Sequence, residues 1–309
     1  MTELPSRTAS LCPHCLRRIP ARRFSENGFV YLEKSCPEHG VLEKVLLWKN
    51  VPKPYEEWTR CVPATAPAAE DCPSLCGLCP DHQQKTCTAI LEVTARCDLQ
   101  CPVCFAAAGT GVGPDPDQAQ LARMLAMVRE KAGLCPLQIS GGEPTLRDDL
   151  PQIVAQARAL GFDPIQINTN GIRLAQEDAY GRALVGAGAT VIYLQFDGVA
   201  GSVYEKIRGA DLFPVKIQAI RNCEKWKVGV ILVPTLVKGV NDSQIGNIIQ
   251  FAKEWIPTVK GVHFQPMTFL GRYPQSPRNE DRLLLSDILA AIEDQTHGEL
   301  KIENLLPSG

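Results

Sequence analysis

The chain has 309 residues, 45% apolar and 21% charged, with 32 basic and 34 acidic residues for a net charge of −2. This ordinary composition and balanced charge exclude a binder of nucleic acid or anionic membranes that works by bulk electrostatics. No apolar run approaches the roughly 20 residues that span a bilayer, and the opening MTELPSRTAS has no apolar leader core, so a cytoplasmic, non-transmembrane protein is expected. Thirteen cysteines are the unusual feature, eleven of them within the first 104 residues. Thiols stay reduced in the cytosol, so grouped cysteines point to metal rather than to disulfides. Cys135, at a strand start, and Cys223, in a helical stretch, read as buried structural thiols.

In chain order, residues 1–60 are compact and turn-rich. Cys12-Pro-His-Cys15 and Cys36-Pro-Glu-His39 are two knuckle-like pairs, and the segment between them reads as a hairpin turning at Asn27-Gly28. The spacing is that of a zinc ribbon or rubredoxin-like site with Cys12, Cys15, Cys36 and His39 as ligands to zinc or mononuclear iron. Cys61 is the alternative to His39, and His14 reads as a loop residue. A unit of about 50 residues has a marginal core, and structural zinc contributes roughly 10–16 kcal/mol to folds of this size. Residues 61–87 are rich in proline and cysteine. There Cys72, Cys76 and Cys79 form C-x3-C-x2-C, with Cys87 following, an arrangement suited to an auxiliary [4Fe–4S] cluster or a four-cysteine zinc site.

From residue 88 strand-like and helix-like segments alternate. The strands are expected at 88–94, 136–142, 164–171, 190–198, 228–237 and 261–270, apolar and β-branched as if buried on both faces. The helices between them repeat apolar residues every three or four positions, and several end in glycine. The pattern predicts an α/β fold, a partial (β/α)6 TIM-like barrel over 88–275 with right-handed crossovers, then a C-terminal helix (283–295) and tail within 276–309. Ligand chemistry is expected at the C-terminal ends of the strands.

That rim is where the chemistry-bearing residues fall. Cys97, Cys101 and Cys104 (C-x3-C-x2-C) follow the first strand. Three thiolates on one loop hold three irons of a [4Fe–4S] cube and leave the fourth open to chelate a small molecule, with a zinc knuckle as the competing reading. The second strand ends in Ser140-Gly141-Gly142-Glu143-Pro144, where the glycines allow close backbone approach and Glu143 offers a carboxylate to an amino group. Asn168 and Asn170 end the third strand, and Gln195 and Asp197 the fourth. Singly these are turn or cap residues as readily as ligands; together they make a polar rim.

The cysteine triplet, the Gly-Gly-Glu-Pro turn and the six-fold repeat together resemble the radical S-adenosylmethionine (SAM) superfamily, over about residues 88–272. The resemblance implies that Cys97, Cys101 and Cys104 ligate a [4Fe–4S] cluster whose open iron takes the methionyl amino and carboxylate groups of SAM. It also implies that Gly141, Gly142 and Glu143 meet the amino group, with Asn168, Asn170, Gln195 and Asp197 as candidates for ribose, carboxylate or substrate. The implied chemistry is reductive cleavage of SAM to a 5′-deoxyadenosyl radical, fed by a low-potential donor such as ferredoxin or flavodoxin. One departure is Val103 before the third cysteine, where many members have an aromatic residue; here Phe105 follows instead.

The N-terminal Cys-Pro units, Cys76-Gly-Leu-Cys79-Pro, the GVND segment (239–242) and HFQPM (263–267) resemble the branch that contains tetraether lipid synthases and pterin methylases, and within it a short radical SAM (seleno)protein subgroup. The implied product is C–C bond formation or methylation at an unactivated carbon of a small-molecule or lipid-like substrate, by an oxidoreductase or transferase. Phe264, Met267 and Phe269 line a hydrophobic substrate space or belong to the core. The alternative is an iron–sulfur electron-transfer or partner-docking protein with an inactive barrel, against which the complete cysteine triplet and Gly-Gly-Glu turn both argue. A nucleic-acid-binding ribbon is disfavoured by charge and by only 9 Phe, 4 Trp and 6 Tyr.

Overall fold

The structure, a computed structural model, describes residues 7–50, 53–58, 86–109, 113–273 and 278–307. The chain divides into two compact units, Met1–Lys85 with Pro277–Gly309, and Thr86–Ser276.

The first unit opens with antiparallel strands β1 (Arg7–Leu11), β2 (Arg18–Glu26), β3 (Phe29–Cys36), β4 (Gly40–Val41) and β5 (Val45–Lys49). The β2–β3 hairpin turns at Asn27 and Gly28, both at positive φ (52° and 79°), which is what a two-residue turn matched to strand twist requires. Ile19 and Ala21 alternate inward along β2. Their side of the sheet is small: Cys12, Ile19 and Cys36 form one buried cluster.

The second unit runs β6 (Ala89–Glu92), α1 (Gln118–Ala132), β7 (Leu137–Ser140), α2 (Leu150–Ala159), β8 (Ile165–Thr169), α3 (Ile172–Gln176), α4 (Asp178–Ala187), β9 (Val191–Gln195), α5 (Gly201–Arg208), α6 (Phe213–Trp226), β10 (Gly229–Val233), β11 (Thr235–Leu236), α7 (Ile245–Glu254), β12 (Val259–Val262) and β13 (Gln265–Pro266). Six strands pair in parallel in the order β6-β7-β8-β9-β10-β12, and β11 pairs with β13. This is the expected α/β partial barrel.

One row across the sheet, Leu91, Ile139, Ile167, Ile192 and Val230, packs against apolar side chains of the helices and is almost wholly buried. The neighbouring positions, Glu92, Ser140, Asn168 and Tyr193, point to the opposite face. The expectation of strands apolar on both faces is therefore corrected. One face meets helices, and the other is polar because it lines a cavity rather than a core.

Two further departures have physical causes. The segment 261–270 is not one strand: the ladder slips at Val230/Ile231, β12 stops at Val262, and pairing resumes only for Gln265 and Pro266. Helix α5 has no counterpart in the sequence reading. Its apolar residues Val203, Tyr204 and Ile207 occupy just two turns between Gly201 and the left-handed Gly209, too few to register as a periodic stretch.

After the barrel the chain forms α8 (Leu285–Gln295), which belongs to the first unit. Leu289 is buried with Val30 and Trp48, and the backbone amides of Leu46 and Lys49 on β5 donate to Asn279 Oδ1 and Ser286 Oγ, both at 3.1 Å. Side chains of the C-terminal segment thus cover strand groups that would otherwise stay open.

Candidate active site

A cavity of about 600 Å³ opens at the C-terminal ends of the barrel strands. Cys97, Cys101 and Cys104 line it together, with Ser140, Gly141, Gly142 and Glu143 beside them. Gly142 N donates to Thr94 O and Glu143 N to Arg96 O, each at 2.8 Å. A Cβ on Gly141 would lie 2.2 Å from Thr94 O, and one on Gly142 2.2 Å from Arg96 O. The two glycines are thus required first by the protein itself, because they let the segment leading into Cys97 lie flat on the end of β7. The far end of the cysteine loop is held by a reciprocal backbone pair between Cys104 and Arg272 (2.9 and 2.8 Å). Gly271, at φ 66°, leaves no room for a Cβ against Phe105 O.

Cys97 Sγ accepts from Leu99 N at 3.4 Å. Burial pushes its thiol up to about 12, with the Glu143, Asp98 and Cys101 charges adding to the effect, so a cation is needed to hold the thiolate at neutral pH. Val103 is buried against Val203 and Ile207, whereas Phe105 is exposed.

Glu143 is fully buried. Its Oε1 accepts from Thr145 N (3.0 Å), Thr145 Oγ1 (2.5 Å) and Thr169 Oγ1 (2.7 Å), and its Oε2 from Asn170 N (2.7 Å). Burial pushes its carboxyl above the ordinary range against the pull of these donors. The residue stitches β7 to β8 at the cavity wall. Asn170 Nδ2 in turn donates to Asp98 Oδ1 at 2.7 Å and so steadies the residue next to Cys97. Asn168 lines the cavity and donates to Ser140 Oγ at 3.3 Å. Gln195 also lines it, its oxygen accepting from Lys216 Nζ at 2.9 Å and its nitrogen donating to Asp197.

Asp197 does not face the cavity. It is completely buried and takes Nε and Nη2 of Arg208 at 2.7 and 2.8 Å and Thr235 N at 3.0 Å. Arg208 is the residue that reaches the cavity, and it also donates to Val103 O at 3.3 Å inside the cysteine loop. Sequence reading missed Arg208 because α5 was missed. It also missed Lys216, a fully buried cation whose Nζ donates to Asn170 O at 2.5 Å and which burial pulls down to about 7. Phe264 and Met267 line the cavity; Phe269 stacks edge-on against Tyr273 instead.

In the first unit the ligand atoms of Cys12, Cys15, Cys36 and His39 all lie within 4.8 Å of one another. Cys15 and Cys36 sulfurs are 3.8 Å apart, and His39 Nδ1 is 3.6 Å from Cys12 Sγ and 3.4 Å from Cys36 Sγ. The His39 hydrogen bond lowers the Cys36 thiol to about 6. Three sulfurs and one imidazole converging this closely make a tetrahedral donor set suited to zinc or iron. The His14 ring lies 5.0 Å from that of His39, tilted by 30°. Cys61, Cys72, Cys76 and Cys79 lie outside the described residues, and Cys87 is exposed. Cys135 and Cys223 are buried, as their reading as structural thiols expects.

Comparison with known proteins covers both units. Residues 4–49 match the HMPTM N-terminal zinc ribbon domain, and residues 91–252 match the radical SAM superfamily. The chain is 41% identical to a 7,8-dihydro-6-hydroxymethylpterin dimethyltransferase of Methanocaldococcus jannaschii over 98% of its own length and 61% of that protein's. It therefore spans about three-fifths of that relative. It is 25% identical to a probable GTP 3′,8-cyclase of Thermococcus kodakarensis over 52% of each chain. Among solved structures, SuiB of Streptococcus suis bound to S-adenosylmethionine superposes with a TM-score of 0.56 at 16% identity, over 72% of this chain and 50% of that one. Native anSMEcpe with bound AdoMet and a peptide gives 0.53 at 17% identity, over 69% and 62%. Both likenesses are of fold.

Proposed function

Because this chain belongs to the radical SAM superfamily, we propose that it is a SAM-dependent radical enzyme that methylates an unactivated carbon of a reduced pterin, the one-carbon unit coming from a second SAM or a reduced folate and replacing a hydrogen. The observation that carries the pterin reading is the 41% identity to a dihydropterin dimethyltransferase, which runs through the ribbon and the barrel alike. A [4Fe–4S] cluster and SAM are the cofactors of this family, and the residues present suit them. Three thiols share one cavity wall, and backbone amides and glycines pin the loop that bears them. When bound, the two supply one-electron cleavage of SAM and hence a carbon radical strong enough to attack a C–H bond.

The protein's part is to hold and orient. Cys97, Cys101 and Cys104 would hold the cluster. The Gly141–Glu143 turn would border the SAM amino group, and Asn168, Asn170 and Gln195 its ribose and carboxylate side. Asp197 enters only as the anchor of Arg208. Cys12, Cys15, Cys36 and His39 would hold a structural zinc or iron, and Cys72, Cys76, Cys79 and Cys87 an auxiliary cluster. The electron would come from a low-potential donor of the ferredoxin or flavodoxin class. A cavity of about 600 Å³ that must also take the cluster and SAM leaves room for a small heterocycle rather than a long lipid chain.

The test uses anaerobically reconstituted protein with excess SAM, dithionite, methylene-tetrahydrofolate as the second possible one-carbon donor, and 7,8-dihydro-6-hydroxymethylpterin. The expected result is 5′-deoxyadenosine together with a pterin heavier by one or two methyl groups, both lost in Cys97→Ala along with part of the iron. Deoxyadenosine without any mass gain on the pterin would overturn the substrate; cluster-loaded protein that binds no SAM would overturn the enzyme.

A further inference from the structure

On the cavity wall, two polar rings have no hydrogen-bond partner among the described residues. Tyr193 lies in mid-strand on β9, on the face turned from the helices, where its register neighbours are Asn168 on β8 and Ile231 on β10. His263 follows β12 and is fixed by its backbone, whose N–H donates to Leu232 O at 2.7 Å. Both line the cavity, with ring centroids 6.2 Å apart and planes inclined at 56°. Among the described residues, neither the Tyr193 hydroxyl nor the His263 ring nitrogens have a hydrogen-bond partner. The contrast with the rest of the polar rim is sharp: Glu143, Asn170, Gln195 and Arg208 all have side-chain partners within the protein.

A tyrosine in mid-strand and a histidine just past a neighbouring part of the sheet, both open to the cavity, with Phe264 and Met267 supplying apolar wall, make a recognition surface rather than a scaffold. Desolvation keeps the imidazole below its ordinary range. The ring is therefore neutral at neutral pH and offers one donor and one acceptor, while the phenol adds a group that can do either. That set matches a flat heterocycle carrying adjacent ring N–H and carbonyl groups, as the pyrimidinone edge of a pterin does. We propose that Tyr193 and His263 are the substrate-specificity pair of this site: they hydrogen-bond the polar edge of the heterocycle and place its methylated face toward the cysteine end of the cavity. The proposal rests on the pterin reading above.

The measurement is binding without turnover. Cluster-loaded protein with SAM and no reductant is titrated with 7,8-dihydro-6-hydroxymethylpterin, followed by its fluorescence, in wild type, Tyr193→Phe and His263→Leu. Each lost hydrogen bond should weaken pterin binding by about three- to tenfold. The SAM dissociation constant and the cluster's electron paramagnetic resonance signal should stay unchanged, which shows that the site is intact. Under reducing conditions the ratio of deoxyadenosine to methylated pterin should rise in both variants, because a misplaced ring lets cleavage run without transfer. Equal pterin affinity in wild type and both variants overturns the pair while leaving the pterin reading in place. A wild type that binds SAM but no pterin overturns the reading, and the pair falls with it. Weakened SAM binding or an altered cluster signal in either variant overturns the assignment to substrate and makes the residue part of the scaffold.

Discussion

Arg208 and Asp197 show how single side chains divide the work around the cavity. Asp197 is wholly sealed and Arg208 nearly so, and two parallel N–H···O bonds join them. Desolvation makes such a pair a poor source of net stability, yet removing one partner leaves a naked buried charge. Arg208→Met should therefore lower stability by about 3–5 kcal/mol, read by denaturant unfolding of the metal-loaded protein. The double variant Asp197→Leu/Arg208→Met should recover most of that loss; a single variant as stable as the wild type would show that the pair is not closed in solution. Little of this was legible beforehand. Asp197 stood out as a polar residue at a strand end, but its partner lies eleven positions on, at the end of a helix too short to recognise. Gly141 and Gly142 were legible as close-approach residues, and what approaches them is the protein's own loop.

Elements owe their order here to two different causes. The barrel helices stand on apolar faces packed against one row of the sheet. The ligand end of the ribbon has very little to pack on: Cys12 and Cys36, two of the proposed ligands, form its small core with Ile19, whereas the other end of β3 packs on Trp48 and Leu289. Metal is expected to supply what that core lacks. Removing it with a strong chelator should unfold the ligand end of the ribbon, seen as loss of amide protection over residues 10–19 and 35–41. The barrel's own protection should survive, since its core draws on none of the four ligands. Retained protection in metal-free protein would show that the ribbon stands on packing alone. The hairpin and the ligand pairs could be read directly from Cys-Pro-x-Cys spacing and from Asn27-Gly28, because both signals are local. The break of the last strand at Val262 could not, because a register slip against β10 depends on the neighbour.

The course of the entire chain closes on the first unit. Leu289 of α8 is 3% exposed and buries itself with Val30 and Trp48, while Lys49 Nζ meets Asp287 at 2.5 Å. The sequence reading treated 276–309 as a separate helix and tail, since nothing local says which surface an amphipathic helix will choose. Leu289→Ala should cost about 2–4 kcal/mol and should appear as lowered protection along β3 and β5 in hydrogen exchange. Unchanged exchange there would mean that α8 does not cover those strands.

Local signals pointed to the chemistry proposed for this protein: cysteine spacing marked the candidate metal sites, the Gly-Gly-Glu-Pro turn and the strand–helix alternation marked the barrel, and polar residues at successive strand ends marked the rim. These depend on residues near one another in the chain, where backbone geometry alone brings side chains together. What each rim residue does was decided only in three dimensions. Glu143 and Asp197 turned inward to brace the walls, Arg208 came from an unmarked helix and Lys216 from the buried face of an expected one, and Tyr193 and His263 were left open to the cavity. The reason is that a buried charge or hydroxyl takes whatever partner the packed neighbour supplies, and that neighbour is set by the sheet order and not by the sequence around it.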